Sequence, residues 1–206
     1  IARTQDDLDN NAVQQGANVG DCLYEDISGP DGTPDGVIDA YDQTVLGSGL
    51  TKVNFGLSTH LEYKGFDLNI STYGVLNYHV SDDIYNSLNS CYGYGNKEVG
   101  MLDANRWSED GSTYLSNVPR TYAANNATLG WNDLFSSRKI QNAAYWKIAN
   151  VELGYNFPDK WFGGYVNGVR LYVSAQNLYT FTGYHGYNVD YAGGTFTPGY
   201  NFCSFP

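Results

Sequence analysis

The sequence predicts an all-β chain of antiparallel strands that form part of a transmembrane β-barrel. Apolar residues or Thr alternate with polar residues or Gly through residues 53–63, and the pattern returns at Phe66–Thr72, Tyr145–Phe157 and Val169–Ala175. A tilted strand of about 9–11 residues crosses a bilayer core. A soluble antiparallel sheet also alternates, but the recurrence, with aromatic residues near the strand ends, favours a barrel.

The composition of the 206-residue chain agrees with this class. Aromatic residues make up 16%, with 19 Tyr, and 24 residues are Gly, which is typical of short strands joined by turns. A net charge of −11 argues against a nucleic-acid partner, whose phosphates would be repelled. There is no apolar run of about 18 residues, so we predict no transmembrane helix.

The first 50 residues are predicted to form an extracellular loop that contains an acidic turn. Within them, Asp6–Asn11 fits a short helix capped by Thr4, with Asp7 three residues after the cap. The sequence from 20 to 50 is dense in Gly, Pro and Asp, which are turn residues.

Residues 51–76 are predicted to form a transmembrane β-hairpin. Its strands are Lys52–Tyr63 and Phe66–Val75, joined by a tight turn at Lys64 and Gly65. Gly supplies the positive φ that two-residue hairpin turns need. Residues 77–142 lack sustained alternation and are predicted to form a long extracellular loop, with short helical turns at Met101–Trp107 and Trp131–Phe135.

The contrast between this two-residue turn and the long loop at 77–142 further supports a barrel. Structureless loops beyond about 12–15 residues are uncommon in compact soluble domains. Barrels of the outer membrane combine short periplasmic turns with long extracellular loops.

Residues 143–177 are predicted to form a second transmembrane hairpin, with a turn at Pro158–Gly168. The apolar face is clear from Ala149 onward and ambiguous before it. Residues 178–206 are predicted to be an extracellular loop, with a final strand missing after it. Four strands cannot close a membrane barrel, and open edges are not tolerated in lipid, so we expect further strands to complete it. We expect the chain, which runs from IARTQDD to YNFCSFP, to be a piece of a longer precursor.

The acidic turn is the best candidate for a binding site. An EF-hand-like loop places oxygen ligands at alternating positions, with Gly at its turn and a carboxylate at its end. Allowing for extra residues, the predicted ligands are Asp26, Ser28, Asp35, the carbonyl of Val37, Asp39 and Asp42. Gly36 would form the turn and Ile38 an apolar contact beside it. Hard oxygen ligands suit Ca²⁺, whose role would be structural.

Other interpretations of this turn stay open. Asp31 could replace one of the ligands, and a solvated acidic loop without a cation explains the same residues. Three cysteines, Cys22, Cys91 and Cys203, show no metal-type spacing, and the sequence assigns no disulfide between them.

Aromatic side chains in the loops are candidates for stacking on sugar rings or peptide side chains, although loop packing and partner contacts explain them more simply. They are Tyr92, Tyr94, Tyr184, Tyr187, Tyr191, Phe196 and Tyr200. The three His residues have no ligand spacing. There is no Gly-x-Ser-x-Gly elbow or P-loop, and nothing brings two carboxylates together. We therefore predict no enzymatic activity and leave the substrate-binding residues unassigned.

Several motifs together resemble the C-terminal part of SusC/RagA-like TonB-dependent outer-membrane transporters of the Bacteroidetes type. They are GDCLYEDISG followed by DGVIDAYDQTVLG, then NFGLSTHLEYKGFDLNISTYG, NRWSED with a later VPR, AAYWKIANVELGYNFP, and VRLYVSAQNLYTFTGYHGYNVD. The chain departs from the family in carrying PDGTP at 30–34 and Ser28 in place of the usual Asn. The plug, the TonB box and most of the barrel are absent.

The resemblance implies a multi-pass barrel of about 22 strands in the cell outer membrane. It also implies active import of oligosaccharides or peptides, driven by TonB through an N-terminal plug and assisted by a SusD-like surface lipoprotein. The alternative is a soluble all-β carbohydrate-binding module with a structural calcium. Such a module would have balanced loop lengths, which this sequence does not have.

Overall fold

The computed structural model describes residues 1–91, 96–101, 105–121, 130–163, 166, 168–186, 188–190, 193–194 and 197–201. The chain divides into two compact units. Unit 1 comprises residues 1–46, 82–139 and 202–206, and unit 2 comprises residues 47–81 and 140–201. No helix in the described part of the chain is long and apolar enough to cross a membrane.

Unit 2 is built on a four-stranded antiparallel sheet. Its strands, in their order across the sheet, are β1 (Val53–Tyr63), β2 (Phe66–Leu76), β5 (Tyr145–Asn156) and β6 (Arg170–Thr182). The predicted all-β class is therefore confirmed.

The β1–β2 hairpin has the turn that its sequence predicts. Lys64 has φ 48° and Gly65 has φ 90°, so both turn residues adopt the left-handed conformation of a type I′ turn. The pairing runs unbroken from Tyr63↔Phe66 to Val53↔Leu76. An unbroken ladder keeps each side chain on one face, as the alternation requires.

Two β-bulges in the second hairpin change which face of the sheet its side chains occupy. Against β2, strand β5 gains one residue between Ile148 and Asn150. Against β5, strand β6 gains one residue near Asn177, which has φ 51°. A bulge moves the following side chains to the opposite face. This explains why the apolar face of the second hairpin was ambiguous before Ala149 in the sequence.

Two predicted loops need correction. Residues 178–182 belong to β6 rather than to the predicted loop at 178–206, because the bulge breaks the alternation there without breaking the ladder. The later residues also form the short strands β7 (Gly193–Gly194), β8 (Thr197–Pro198) and β9 (Tyr200–Asn201). Within the predicted loop at 77–142 lie β3 (His79–Asp82) and β4 (Gln141–Asn142). Strands of two to four residues are too short to show alternation.

These short strands pair in two further sheets. One has three strands in the order β4-β3-β9, and the other pairs β7 with β8. A small buried cluster lies at this end of unit 2, away from the Lys64–Gly65 turn. It consists of Val75, Tyr78, Val80, Ala143, Tyr145, Tyr184 and Val189.

In its described residues, unit 1 contains the short helices α1 (Gln5–Asp9) and α2 (Asp83–Leu88). The predicted capping of α1 is confirmed, because Thr4 Oγ1 accepts from the Asp7 backbone N–H and Asp7 accepts in return from Thr4. The described residues also form short 3-10 helices, which are Ala40–Asp42, Val99–Met101, Trp131–Asp133 and Ser137–Lys139 in this unit, and Asp159–Phe162 in unit 2.

Candidate functional site

The four-stranded sheet presents one apolar face over its whole length. Each apolar residue of β1 pairs with a residue of β2 whose side chain lies on the same face of the sheet. The pairing of β2 with β5 and of β5 with β6 continues this face across the sheet. Many of its side chains are exposed, Leu57 to 63%, Leu171 to 66% and Val173 to 73%. An exposed apolar patch of this extent is not compatible with water around a monomer and indicates an apolar environment such as lipid.

The opposite face is polar and bound together by ion pairs and hydrogen bonds. Arg170 pairs with Asp67 and, at 2.6 Å, with Glu152, while Asn156 Nδ2 donates to Asp67 at 3.0 Å. Nearer the edge, the ring nitrogens of His60 lie 2.5 Å from Asn69 Oδ1 and 2.9 Å from Glu62 Oε1, without a metal-type arrangement. A face of this kind suits a wet barrel interior.

The acidic turn is folded around two carboxylates, Asp26 and Asp42. Asp42 Oδ1 accepts from the backbone N–H groups of Ile27 and Ser28 at 2.8 and 3.2 Å, and its Oδ2 accepts from Asp39 at 2.8 Å. Asp26 Oδ2 accepts from the Gly36 N–H at 2.6 Å. The Asp26 side chain also hydrogen-bonds to Asp42, so the two carboxyl groups lie side by side.

One oxygen of this pair is notable. Asp26 Oδ1 is buried and has no hydrogen-bond partner among the described residues. A buried carboxylate oxygen without a donor is costly, whereas a coordinated cation would satisfy it. The backbone donors of Asp39 and Ile27 hold the pKa of Asp42 below its usual range, so this carboxylate stays charged.

The remaining predicted ligands are only partly gathered around this pair. Asp35 Oδ1 accepts from Val37 N at 3.0 Å and Asp39 Oδ1 from Tyr41 N at 2.7 Å, so both carboxylates bind their own local backbone. Ser28 Oγ donates to the Gly29 carbonyl at 3.3 Å. Among the described residues, no three His, Cys, Asp or Glu side chains form a group that could hold a metal ion.

The base of the turn is held by backbone pairing with Val13 and by the burial of Ile38. The Val13 and Val37 segments form a parallel β-bridge, with the Val13 N–H donating to the Gly36 carbonyl at 2.8 Å and the Ile38 N–H donating to the Val13 carbonyl at 3.0 Å. Ile38 is buried at 8% exposure. Backbone pairing and the burial of Ile38 thus fix the base of the turn, above which Asp26 and Asp42 lie side by side.

The aromatic candidates do not form a shared surface in the described residues. Tyr184 is buried in the apolar cluster of unit 2, and Tyr200 lies in β9. The candidates Tyr92, Tyr94, Tyr187, Tyr191 and Phe196 lie outside the described residues, as does Cys203. Cys22 and Cys91 are buried and free, and burial raises the pKa of the Cys91 thiol.

Sequence reasoning missed one polar cluster. Lys147 Nζ lies 2.5 Å from Asp190 Oδ2, and Tyr73 Oη donates to Asp190 Oδ1 at 3.3 Å. The sequence leaves the face of Lys147 ambiguous, because the bulge near Ala149 is visible only in the strand pairing. A lysine at an apparently apolar position was the signal that could have revealed it.

Comparison with known proteins agrees with the two-faced sheet. The chain is 29% identical over 165 residues to TonB-dependent receptor P3 of Formosa agariphila, covering 80% of this chain and 15% of that receptor. It is 26% identical over 153 residues to TonB-dependent receptor SusC of Bacteroides thetaiotaomicron, covering 73% of this chain and 14% of SusC. The relatives that this chain resembles over most of its length are therefore TonB-dependent receptors.

A solved structure extends this result to the fold. The RagAB peptide importer in its open-open state matches 84% of the chain with a TM-score of 0.61 at 23% identity, and the match covers 18% of the RagAB chain. No family model matches the sequence. The chain thus spans between 14% and 18% of the length of these three proteins. Its four long strands are a segment of a larger β-barrel of the outer membrane.

Proposed function

We propose that this chain is part of an outer-membrane, TonB-dependent importer of oligosaccharides or peptides. The observation that carries the proposal is the sheet itself, whose exposed apolar face and ion-paired polar face suit a barrel wall between lipid and a wet interior. The homology to TonB-dependent receptors supports the same conclusion. A soluble carbohydrate-binding module would leave that apolar face in water.

The chain's contribution to import would be structural rather than catalytic. Its strands would form part of the barrel wall, with Asp67, Glu152 and Arg170 facing the interior. Its long connections would form part of the protein surface at the end of the sheet opposite the two-residue turn. Force from TonB would act on a plug formed by other parts of the protein. A SusD-like lipoprotein would cover the outer opening.

The proposal is tested by purifying the native full-length protein from outer membranes in detergent and identifying what accompanies it by mass spectrometry. We expect a barrel several times longer than this chain, together with a surface lipoprotein. Cells that lack the gene should lose TonB-dependent uptake of one oligosaccharide or peptide class. A protein that stays soluble and monomeric without detergent would contradict the proposal.

We also propose that the acidic turn binds one Ca²⁺ as a structural ion. Asp26 and Asp42 would be its main ligands, and Ser28, Asp35, the Val37 carbonyl and Asp39 would complete the oxygen set after Asp35 and Asp39 leave their local backbone donors. The uncompensated Asp26 Oδ1 and the contact between two carboxylates support this. The ion would hold the turn closed.

Calorimetric titration of the detergent-purified, chelator-treated protein with CaCl₂ tests this proposal. Asp26→Asn should weaken Ca²⁺ binding at least tenfold, because it removes the negative charge of the carboxylate whose buried oxygen would bind the ion. Asp9→Asn, an exposed aspartate on α1, is the matched control and should bind as the wild type does. If Asp26→Asn and Asp42→Asn both bind Ca²⁺ as tightly as the wild type does, the turn is not the site.

A further inference from the structure

The segment that follows β6 turns back over the polar face of the sheet. Strand β6 ends at Thr182, which pairs with Tyr145. Beyond it, Tyr184 and Val189 are only 7% and 9% exposed, because they pack in the cluster that includes Val75 and Tyr145. Residues 183–186 and 188–190, called the return segment below, therefore cover the end of this face.

The face that the return segment covers is fixed by the register. Val75 pairs with Tyr145, and Tyr73 pairs with Lys147, across the β2–β5 ladder. Both pairs lie on the same face as Asp67, because Asp67, Tyr73 and Val75 are an even number of residues apart along β2. The return segment thus lies on the polar side of the wall, opposite the apolar face.

An ion pair holds the return segment in place. Lys147 Nζ and Asp190 Oδ2 are 2.5 Å apart, and their side chains are only 13% and 29% exposed. Tyr73 donates to the other carboxylate oxygen of Asp190 at 3.3 Å. Partly buried charges held by two partners contribute more than exposed surface pairs, and losing one partner leaves the other charge without compensation.

This contact lies at the end of the sheet far from the Lys64–Gly65 turn, where the long connections emerge. In a barrel whose apolar face meets lipid, the polar face lines the interior. A segment folded onto that face narrows the interior near its outer opening.

We infer that the return segment, latched by Lys147 and Asp190, lines the entrance to the barrel interior and limits the size of substrate that passes. The inference rests on the proposed import function. Lys147, Asp190 and Tyr73 would be positioning residues, since they hold the segment rather than contact the substrate. Weakening the latch should admit larger oligomers.

The first test measures the position of the segment without any transport. Val189→Cys is introduced into the full-length protein in a Cys203→Ser background, and its labelling by a water-soluble maleimide is quantified by peptide mass spectrometry. We expect slow labelling, and at least tenfold faster labelling after Lys147→Met or Asp190→Asn. Lys52→Met, at an exposed lysine outside the sheet, should leave the rate unchanged. The exchange Lys147→Asp with Asp190→Lys should restore slow labelling.

The second test uses cells that carry the same latch variants and measures uptake across a size series of oligosaccharides or peptides. We expect the upper size limit to rise in the Lys147→Met and Asp190→Asn cells. Fast labelling of Val189→Cys with the latch intact, or latch variants without effect on labelling, would overturn the inference. Faster labelling with an unchanged size limit would overturn its entrance role. Absence of any uptake in wild-type cells would instead contradict the proposed function and leave the labelling result standing.

Discussion

Replacing Asp21 by Ala is expected to loosen the packing within unit 1. The Asp21 side chain is fully buried and accepts from four donors. Arg120 Nε and Nη2 lie at 2.6 and 3.1 Å, Asn132 Nδ2 at 3.0 Å and the Asn18 N–H at 2.9 Å. The substitution removes all four acceptor contacts and leaves a guanidinium beside an apolar side chain.

The size of the effect follows from this geometry. Removing one partner of a buried charge pair costs about 3–5 kcal/mol. Arg120 keeps 33% exposure of its side chain, so water compensates part of the loss. We therefore expect about 3 kcal/mol, equivalent to local opening that is roughly a hundredfold more frequent.

Limited proteolysis of the full-length protein in detergent measures this change, because cleavage follows the population of the open form when reclosing is fast. Cleavage between residues 105 and 121, located by mass spectrometry, should accelerate accordingly in Asp21→Ala. Asp9→Ala is the matched control, since the Asp9 side chain is exposed and accepts a hydrogen bond from the exposed Gln5 Nε2 at 2.8 Å. Equal cleavage of Asp21→Ala and the wild type would refute the reasoning.

Three other perturbations test separate parts of the structure. Leu57→Arg places a charge on the apolar face and should lower the free energy of unfolding in lipid vesicles by about 2–4 kcal/mol, measured by urea titration. Gly20→Val should lower the thermal midpoint of unit 1, because its Cβ would lie 2.5 Å from Trp107 and Gly20 has φ 94°. The pKa of Asp42 is lower in the folded turn than in the unfolded chain. The stability that this carboxylate gives the turn is therefore fully present above about pH 4 and is lost as the pH falls through the folded pKa. Faster hydrogen exchange of the Ile27 N–H, which donates to Asp42, reports this loss.

Each perturbation has its own control. Ser58→Arg lies on the opposite face of the same strand and should cost less than about 1 kcal/mol; similar losses at both positions would contradict the assigned faces. Gly16→Val has a similar φ of 77° but open space around its Cβ, so it isolates backbone strain from the clash with Trp107. In Asp42→Asn the acid transition should disappear; its persistence would assign the transition to another group.

Local signals account for the parts of the fold that the sequence predicted well. The β1–β2 hairpin follows from unbroken alternation and a Lys-Gly turn, and α1 follows from the Thr4 and Asp7 capping pair. Both features are determined by residues within a few positions of one another.

The parts that were wrong depend on partners distant in sequence. The bulges near Ala149 and Asn177 exist because two ladders must stay paired, and only the neighbouring strands reveal the extra residue. The return segment and the Lys147–Asp190 pair connect residues that are 43 positions apart. At the acidic turn, the spacing identified the carboxylates but not that Asp35 and Asp39 would bind their own backbone.

The assignment of the two faces is tested most directly by spin labels placed singly along β5 in the full-length protein, reconstituted in lipid vesicles. The label's exposure to oxygen, which partitions into lipid, is measured at each position. The structure predicts maxima at Trp146, Ile148, Val151, Leu153 and Tyr155, with the phase change at Ala149. A single uninterrupted alternation from Tyr145 to Asn156, or equal oxygen exposure at all positions, would contradict a barrel wall with this register.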